Sequence, residues 1–191
     1  MLFRSRGLLF TVKGVVHPPD RWTAYLRYVP DDDGERRRDG RRYRKLRTFA
    51  EQLEALGPRR DTYVRFDRVA GALLQGVPVE DAAHVFDPRR RLTELTAAGP
   101  GDALEAAALR LAALLAEAAG VPPAALGVTG SSLVGLHAAG SDVDHVVYGR
   151  EAGRAVHAAL GALLDDPASP LLRPAGEHLA AIHDAHLLET P

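Results

Sequence analysis

The chain changes character at Gly99-Pro100-Gly101-Asp102, and this break is what most limits how it can fold. Before it, β-branched and aromatic stretches alternate with turn-forming residues, as in antiparallel strands. After it, alanine and leucine dominate and predict helices. Charge divides in the same way, since residues 1–98 carry 20 of the 24 Lys and Arg residues but only 14 of the 25 Asp and Glu residues. We therefore predict two domains, a basic β-rich accessory module at 1–98 and a second, acidic domain at 99–191.

The composition excludes several kinds of protein. The chain has 191 residues and no cysteine, so neither disulfides nor thiolate metal sites contribute to its structure. No segment approaches the roughly 18 consecutive apolar residues of a membrane-spanning helix. Arg4 and Arg6 interrupt the N-terminal apolar residues, which is atypical of a secretory signal. We therefore expect a cytoplasmic protein that does not associate with membranes.

Turn and capping signals divide the first module into short elements. Thr48 followed by Glu51 is a capping-box pattern, and Gly57 follows as a stop signal. Asp39-Gly40 is suited to the tip of a hairpin. These signals predict strands at 8–16, 22–29 and 61–66, and helices at 48–57, 77–86 and 88–99.

The second domain begins with a strong helix signal. Asp102 is a suitable N-cap, Glu105 lies three residues later, and Gly120 marks the end of the helix. Two short apolar segments follow, separated by a glycine-serine turn. We predict strands at 126–129 and 142–149, and helices at 131–137, 150–166 and 175–188.

A strongly basic segment lies at 36–47, where eight of twelve residues are Lys or Arg. One interpretation is a solvated hairpin or loop. The other is a surface for RNA or DNA, on which arginines contact phosphates and an aromatic ring stacks on a base. The candidate contacts are Arg41, Arg42, Tyr43 and Arg44.

A glycine-serine turn and a pair of aspartates carry the chemistry of the second domain. Gly130 allows a tight exit from the first strand, and Ser131 places a hydroxyl at the start of the following helix, where backbone N–H groups can receive a phosphate. Asp142 and Asp144 are two residues apart, so on a strand their side chains share one face, about 6–7 Å apart. Facing a phosphate-binding turn, they would hold Mg²⁺ or Mn²⁺. Otherwise the segment is simply two strands joined by a loop.

These residues resemble the motif of the DNA polymerase β-like nucleotidyltransferase superfamily in its small, minimal form. Thr129-Gly130-Ser131, ten intervening residues and Asp142-Val143-Asp144 match that motif. Residues 12–37 together with 127–149 are also similar to a group of uncharacterised, archaeal-type proteins with nucleotidyltransferase domains.

The resemblance implies an α+β protein whose second domain has a polymerase β-like α/β fold with a short mixed sheet. It implies transfer of a nucleoside monophosphate from an NTP to an acceptor, with Mg²⁺ (or Mn²⁺) as cofactor and pyrophosphate as product. Asp142 and Asp144 would be the catalytic, metal-binding residues. The nucleotide would contact Gly130, Ser131, Ser132 and Ser141.

The sequence departs from this family at a third carboxylate, which the family carries on a later strand. Only Glu177 and Asp184 are placed to supply one, and neither lies in a convincing strand. His145 also occupies a position that is usually apolar, while His137 lies in the loop between the two halves of the motif. The alternative function is therefore a catalytically inactive nucleotide- or nucleic-acid-binding module, of the kind found in an antitoxin.

Overall fold

The computed structural model describes residues 2–5 and 7–189, with side-chain environments for 7–177 and 179–184. It is a mixed α+β structure, and its contacts divide it into two compact units. The first unit is Met1–Phe86 with Ala185–Pro191, and the second is Asp87–Asp184. Sequence composition placed the boundary twelve residues later, between 98 and 99. Within the described residues, no helix is both long enough and apolar enough to cross a membrane.

The first unit is built on an antiparallel sheet of eight strands. A continuous path runs in the order β4-β5-β3-β2-β1-β8, while β7 pairs with β3 and β6 with β7. The strands are β1 Leu2–Ser5, β2 Leu8–Val12, β3 Arg21–Pro30, β4 Arg36–Arg38, β5 Arg41–Lys45, β6 Val64–Asp67, β7 Ala72–Pro78 and β8 His84–Phe86.

The ten-residue strand β3 has two different neighbours along one edge. Its first three residues pair with β7, and its last three pair with β5. In the gap between them, the N–H of Leu26 donates to the side-chain oxygen of Gln75 at 3.0 Å. The Gln75 amide in turn donates to Oε1 of Gln52 at 2.7 Å. Both glutamines are buried, so a side-chain link replaces the missing strand partner.

Two short helices cover the core of this unit. They are α1 Phe49–Leu56 and α2 Arg60–Tyr63. The capping box of Thr48 and Glu51 is present, and Gly57 ends α1, as predicted. The buried side chains are mainly aliphatic and aromatic, and they include Leu8, Phe10, Ala24, Leu26, Val29, Leu46, Leu56, Tyr63 and Val77.

The helix predicted at 77–86 is wrong. Residues 77 and 78 end β7, residues 79–81 form a single 3-10 turn, and residues 84–86 form β8. Alanine and acidic residues gave this segment a helical composition. However, Val77 and Pro78 pair with Trp22 and Arg21, which are more than fifty residues earlier in the chain. Long-range pairing therefore overrides the local preference.

The second unit packs helices around a two-stranded sheet. Strands β9 Leu126–Val128 and β10 His145–Val147 are antiparallel, so the described strands of this unit do not form the mixed sheet that the resemblance implied. The helices are α3 Pro88–Ala98, α4 Ala103–Ala119, α5 Gly130–Leu133, α6 Arg150–Asp165 and α7 Gly176–Glu189. The buried core is formed by Leu92, Leu95, Ala108, Ala112, Leu115, Ala116, Leu126, Val128 and Val156.

Helix α3 approaches β9 very closely. A side chain at Gly127 would come within 2.7 Å of the backbone and ring of Pro88. Glycine at 127 therefore permits α3 to pack directly on the strand that leads into the glycine-serine turn. Arg91 of α3 thereby reaches that turn.

Candidate functional site

The centre of the candidate site is the contact between Gly130 and Asp144. The N–H of Thr129 donates to the backbone oxygen of Asp144 at 2.9 Å, which extends the β9–β10 pairing to the start of the turn. Gly130 has φ of 62°, and a methyl group on it would overlap Oδ2 of Asp144 and lie 2.9 Å from its Cγ. The Asp144 carboxylate thus lies against the bare α-carbon of the turn, which is one of the contacts that the sequence predicted.

Asp142 and Asp144 lie on the solvent side of their segment. Both are exposed, whereas Val143 between them packs against the core of the second unit. The segment 142–144 is not a strand, so the shared exposure of the two aspartates, and not strand alternation, places both at the surface. Both residues are therefore accessible from solvent.

The imidazole of His145, the next residue, points into the second unit and away from solvent. Burial lowers the pKa of His145, and a contact with the backbone of Ala108 only partly offsets this effect. Neither ring nitrogen has hydrogen-bond geometry with any residue that the structure describes. The imidazole therefore occupies an inward position as a neutral ring, where the resembled family has an apolar side chain.

The serines predicted to bind a nucleotide have different environments. Ser131 is partly exposed beside Gly130, while Ser132 is 1% exposed and so faces the interior. Ser141 holds the loop, because its Oγ accepts from the N–H of Ala138 at 3.0 Å. Helix α5 has only four residues, fewer than the seven predicted, so its dipole is small. Gly130 is the turn residue in contact with the Asp144 carboxylate.

A partly buried ion pair supports the turn from the α3 side. The Arg91 guanidinium donates to Glu105 Oε1 at 2.6 Å and to the backbone oxygen of Ser132 at 3.1 Å. The other oxygen of Glu105 accepts the N–H of Gly101 at 2.8 Å. One arginine thus connects α3, the start of α4 and the glycine-serine turn. Sequence reasoning recognised Glu105 only as a capping residue, because its partner is fourteen positions away.

The loop between the two halves of the motif is tied to the same helix. Nε2 of His137 lies 2.7 Å from Asp102 Oδ2, while Asp102 Oδ1 accepts the N–H of Glu105 at 2.9 Å. The Glu105 N–H, followed by His137, lowers the pKa of Asp102. The His137 side chain is only 12% exposed, so it is a structural contact of the loop.

The described residues contain no group of three or more His, Cys, Asp or Glu side chains placed to hold a metal ion. Glu177 and Asp184 are both exposed on α7, a helix, and not on the later strand where the family carries its third carboxylate. Of the two predicted carboxylates, the structure places Asp144 against the turn, while Asp142 is exposed two residues earlier.

The basic segment 36–47 forms a hairpin in the first unit. Asp39 and Gly40 both have positive φ, as a two-residue turn of type I′ requires. Its strands place Arg37 opposite Arg42 and Arg38 opposite Arg41. Such like-charged cross-strand pairs are unfavourable unless anions or nearby carboxylates offset them.

Carboxylates offset part of that charge. Arg44 pairs with Asp31 at 2.8 Å and Arg38 with Asp39 at 3.0 Å. The ion pair with Arg44 lowers the pKa of Asp31. The Arg42 guanidinium donates to the backbone oxygen of Gly34 at 2.8 Å. Arg41 is exposed, and its side chain has no hydrogen bond or ion pair to the described residues.

Tyr43 does not have the exposure that stacking requires. It is 4% exposed, so a base could stack on its ring only if the hairpin opened. Strand alternation explains this, because Tyr43 points inward while Arg42 and Arg44 point outward.

Comparison with known proteins adds one relative without an assigned activity. The chain is 31% identical over 170 residues to an uncharacterised protein of Methanocaldococcus jannaschii. The match covers 85% of this chain and 50% of that protein, so the chain spans about half the length of its relative. No family model matches the chain. No solved structure matches it either.

Proposed function

We propose that this protein is a metal-dependent nucleotidyltransferase that transfers a nucleoside monophosphate from an NTP to a hydroxyl or phosphate acceptor. The observation that carries the proposal is the packing of the Asp144 carboxylate against the α-carbon of Gly130. This arrangement brings a turn that can approach phosphate oxygens next to an anionic metal ligand. The motif order, with strand, glycine-serine turn, loop and Asp-x-Asp, supports a reduced polymerase β-like fold for the second unit.

The residues beside the turn fit a divalent cation. Asp142 and Asp144 offer hard carboxylate oxygens that are open to solvent, and phosphates and water can supply further oxygen ligands. When bound, Mg²⁺ or Mn²⁺ neutralises charge on the triphosphate and activates the attacking oxygen. Within the chain, the two aspartates hold the cation, and Gly130 and Ser131 orient the phosphates. Arg91 and His137 hold the turn and the loop in place.

Transfer is best tested with NTPs that carry a labelled α-phosphate. The full chain would be incubated with Mg²⁺ and each NTP, alone and with RNA, DNA or a cell lysate as acceptor. We expect covalent label on one acceptor, together with release of pyrophosphate. Asp142→Asn and Asp144→Asn should each reduce transfer by at least about 100-fold, because charge neutralisation and positioning account for most of this type of catalysis.

Glu117→Gln is the matched control for these variants. Glu117 lies on α4 and is exposed, so this change removes one carboxylate without touching the site. Transfer should be unchanged in Glu117→Gln. Transfer that survives in Asp142→Asn and Asp144→Asn would exclude these aspartates from the mechanism.

A second function is favoured by the absence of a three-carboxylate group among the described residues. In this case the second unit binds a nucleotide but does not transfer it, as in an antitoxin-like partner. Equilibrium binding of ATP or GTP in the presence of Mg²⁺ would then be lost in Asp144→Asn, while no acceptor is labelled. Saturable, Asp144-dependent binding without transfer would establish this second function over the first.

The basic hairpin favours a nucleic acid as the acceptor of the nucleoside monophosphate. RNA or DNA is favoured by the exposed arginines of the hairpin, of which Arg37 and Arg41 have no side-chain partner within the described part of the chain. Arg38 and Arg44 are already paired with Asp39 and Asp31, so the hairpin has fewer arginines available for phosphates than its sequence suggests.

A further inference from the structure

The first unit contains a cavity that is part of neither the glycine-serine turn nor the basic hairpin. It has a volume of about 200 Å³ and lies where β3, β6 and β7 meet. Its lining includes two arginines and one exposed aromatic ring, which is an unusual set for a structural crevice. The lining residues used below are Asp20, Arg21, Arg65, Phe66, Asp67 and Gly76.

Arg21 lines this cavity with a charged side chain that is 9% exposed. Its Nε donates to Asp20 Oδ2 at 3.3 Å. Its Nη1 is buried and has no hydrogen-bond acceptor among the described residues. A buried guanidinium nitrogen without an acceptor is costly, and a bound water or anion is one way to satisfy it.

The neighbouring strand is shaped to accommodate this arginine. A side chain at Gly76 would lie 3.0 Å from Cδ of Arg21 and 3.3 Å from the backbone oxygen of Trp22. Glycine inside a strand weakens the strand, and one reason to keep it is the close approach of another group. Here that group is the stem of Arg21, so the fold gives up sheet stability to hold a cation at this position.

Two arginines and two aspartates line the cavity, so an anion would be held by the unsatisfied Arg21 donor and not by net charge. Nη1 of Arg65 lies 3.4 Å from the same Asp20 oxygen that Arg21 uses, so two guanidinium groups share one carboxylate. Asp67 also lines the cavity, but its Oδ1 accepts the N–H groups of Val69 and Ala70 in the hairpin turn. By contrast, Arg38 and Arg44 of the basic hairpin each have a carboxylate of their own.

We propose that the first unit binds a phosphate group in this cavity, through the guanidinium groups of Arg21 and Arg65. Arginine presents N–H donors in a fixed fork that matches phosphate oxygens, and phosphate supplies the acceptor that Nη1 lacks. Phe66, which is 63% exposed at the rim, offers a surface on which a base attached to that phosphate can stack. The site is separate from the proposed transfer site of the second unit.

The full chain would be titrated with inorganic phosphate by isothermal titration calorimetry at constant ionic strength, without divalent metal. We expect a saturable heat of binding. Arg65→Gln should weaken phosphate binding by about tenfold, because one charged hydrogen bond to the phosphate is lost. The Arg65 side chain is exposed, so we expect the variant to fold as the wild type does.

Arg68→Gln is the matched control, since Arg68 is exposed on the same hairpin and lies outside the lining of the cavity. It should bind phosphate as the wild type does. Arg21→Gln, with its fold checked by circular dichroism, should abolish the response. No saturable response in the wild type would overturn the proposal, as would equal binding by Arg65→Gln and the wild type, or equal weakening in Arg65→Gln and Arg68→Gln.

Two further titrations identify the type of molecule that supplies the phosphate group. A nucleoside monophosphate and a short single-stranded RNA would be titrated in the same way as inorganic phosphate. Tighter binding of the monophosphate indicates a nucleotide, and tighter binding of the RNA alone indicates a nucleic-acid backbone. Asp144→Asn should leave all three titrations unchanged, so failure of transfer in the second unit and failure of this site are distinguishable.

Discussion

Two separate features favour glycine at position 130, and their costs in free energy of unfolding can be measured separately. Its φ of 62° is unfavourable for other residues, and the Asp144 carboxylate occupies the space that a side chain would need. Gly135 has nearly the same φ, 63°, but a side chain there would meet no atom within 4 Å. The two positions therefore form a natural pair, in which only one has a steric neighbour.

We expect Gly135→Ala to lower the free energy of unfolding by about 1 kcal/mol, from backbone strain alone. Gly130→Ala should cost at least about 1 kcal/mol more, because the carboxylate must move as well. Urea unfolding of both variants checks this. In an Asp144→Ala background the excess cost at position 130 should fall, because only the Cβ of residue 144, 3.2 Å away, still crowds the new side chain. Equal costs at 130 and 135 in the wild-type background would contradict the described packing.

Arg91 and its neighbour Arg90 form a second natural comparison. Arg91 is 25% exposed and bonds both Glu105 and Ser132, whereas Arg90 is 77% exposed and pairs with Glu94 one turn along the same helix. Arg91→Met should lower the free energy of unfolding by roughly 2 kcal/mol, because it leaves Glu105 without its cation. Arg90→Met should change it by less than about 0.5 kcal/mol. Denaturant unfolding at constant salt measures both, and similar costs would show that Arg91 is an ordinary surface residue.

At the scale of elements, Asp102 both caps α4 and binds the loop that carries the motif. Because the native contacts lower the pKa of Asp102, its ionised form adds stability above the ordinary value of 3.8. That contribution is lost as the pH falls through the lower, folded-state value. Asp102→Ala should cost about 1 kcal/mol at neutral pH, and Asp102→Asn less, because asparagine can still cap the helix.

The pH dependence separates the charge of Asp102 from its capping role. The stability difference between the wild type and Asp102→Asn should be constant at neutral pH and should narrow below 3.8. Thermal unfolding between pH 7 and about pH 3 measures it. A difference that stays constant over this range would show that the charge of Asp102 does not contribute.

Elements with local signals were predictable, and those with distant partners were not. Thr48, Asp102 and Gly120 mark helix ends through contacts within four residues, and the structure confirms all three. The strand at 72–78 was missed because Gly76 interrupts its pattern, and its second half has partners at 21–23, although its first half pairs with the nearby β6. Within the site, motif spacing indicated the Gly130–Asp144 contact. It did not indicate Arg91 or His137, whose partners come from other helices.

At the scale of the whole molecule, the net charge of −1 conceals basic and acidic regions that are partly neutralised within themselves. If all eight basic residues of 36–47 contacted a single RNA strand, a plot of the logarithm of the binding constant against the logarithm of the salt concentration would have a slope of about −6. We expect a slope of about −2 to −3, because several of these arginines already have partners.

Two variants locate the charges that remain available. Arg41→Gln should make the slope shallower by about 0.7, since Arg41 has no partner within the described residues. Arg44→Gln should change it less, since Asp31 already neutralises Arg44. RNA binding measured over a range of KCl concentrations tests both. A larger change in Arg44→Gln than in Arg41→Gln would contradict the described pairing.

The amide link in the gap along β3 has a consequence for how the first unit exchanges hydrogen with solvent. The Leu26 proton is held by a side chain from β7, which is itself held by a side chain from α1. Fraying of one strand end leaves this chain of donors intact, because all three residues are buried. Deuterium should therefore enter at Leu26 only when the whole unit opens, so an N–H that is held by a side chain and not by a neighbouring strand should be among the slowest to label.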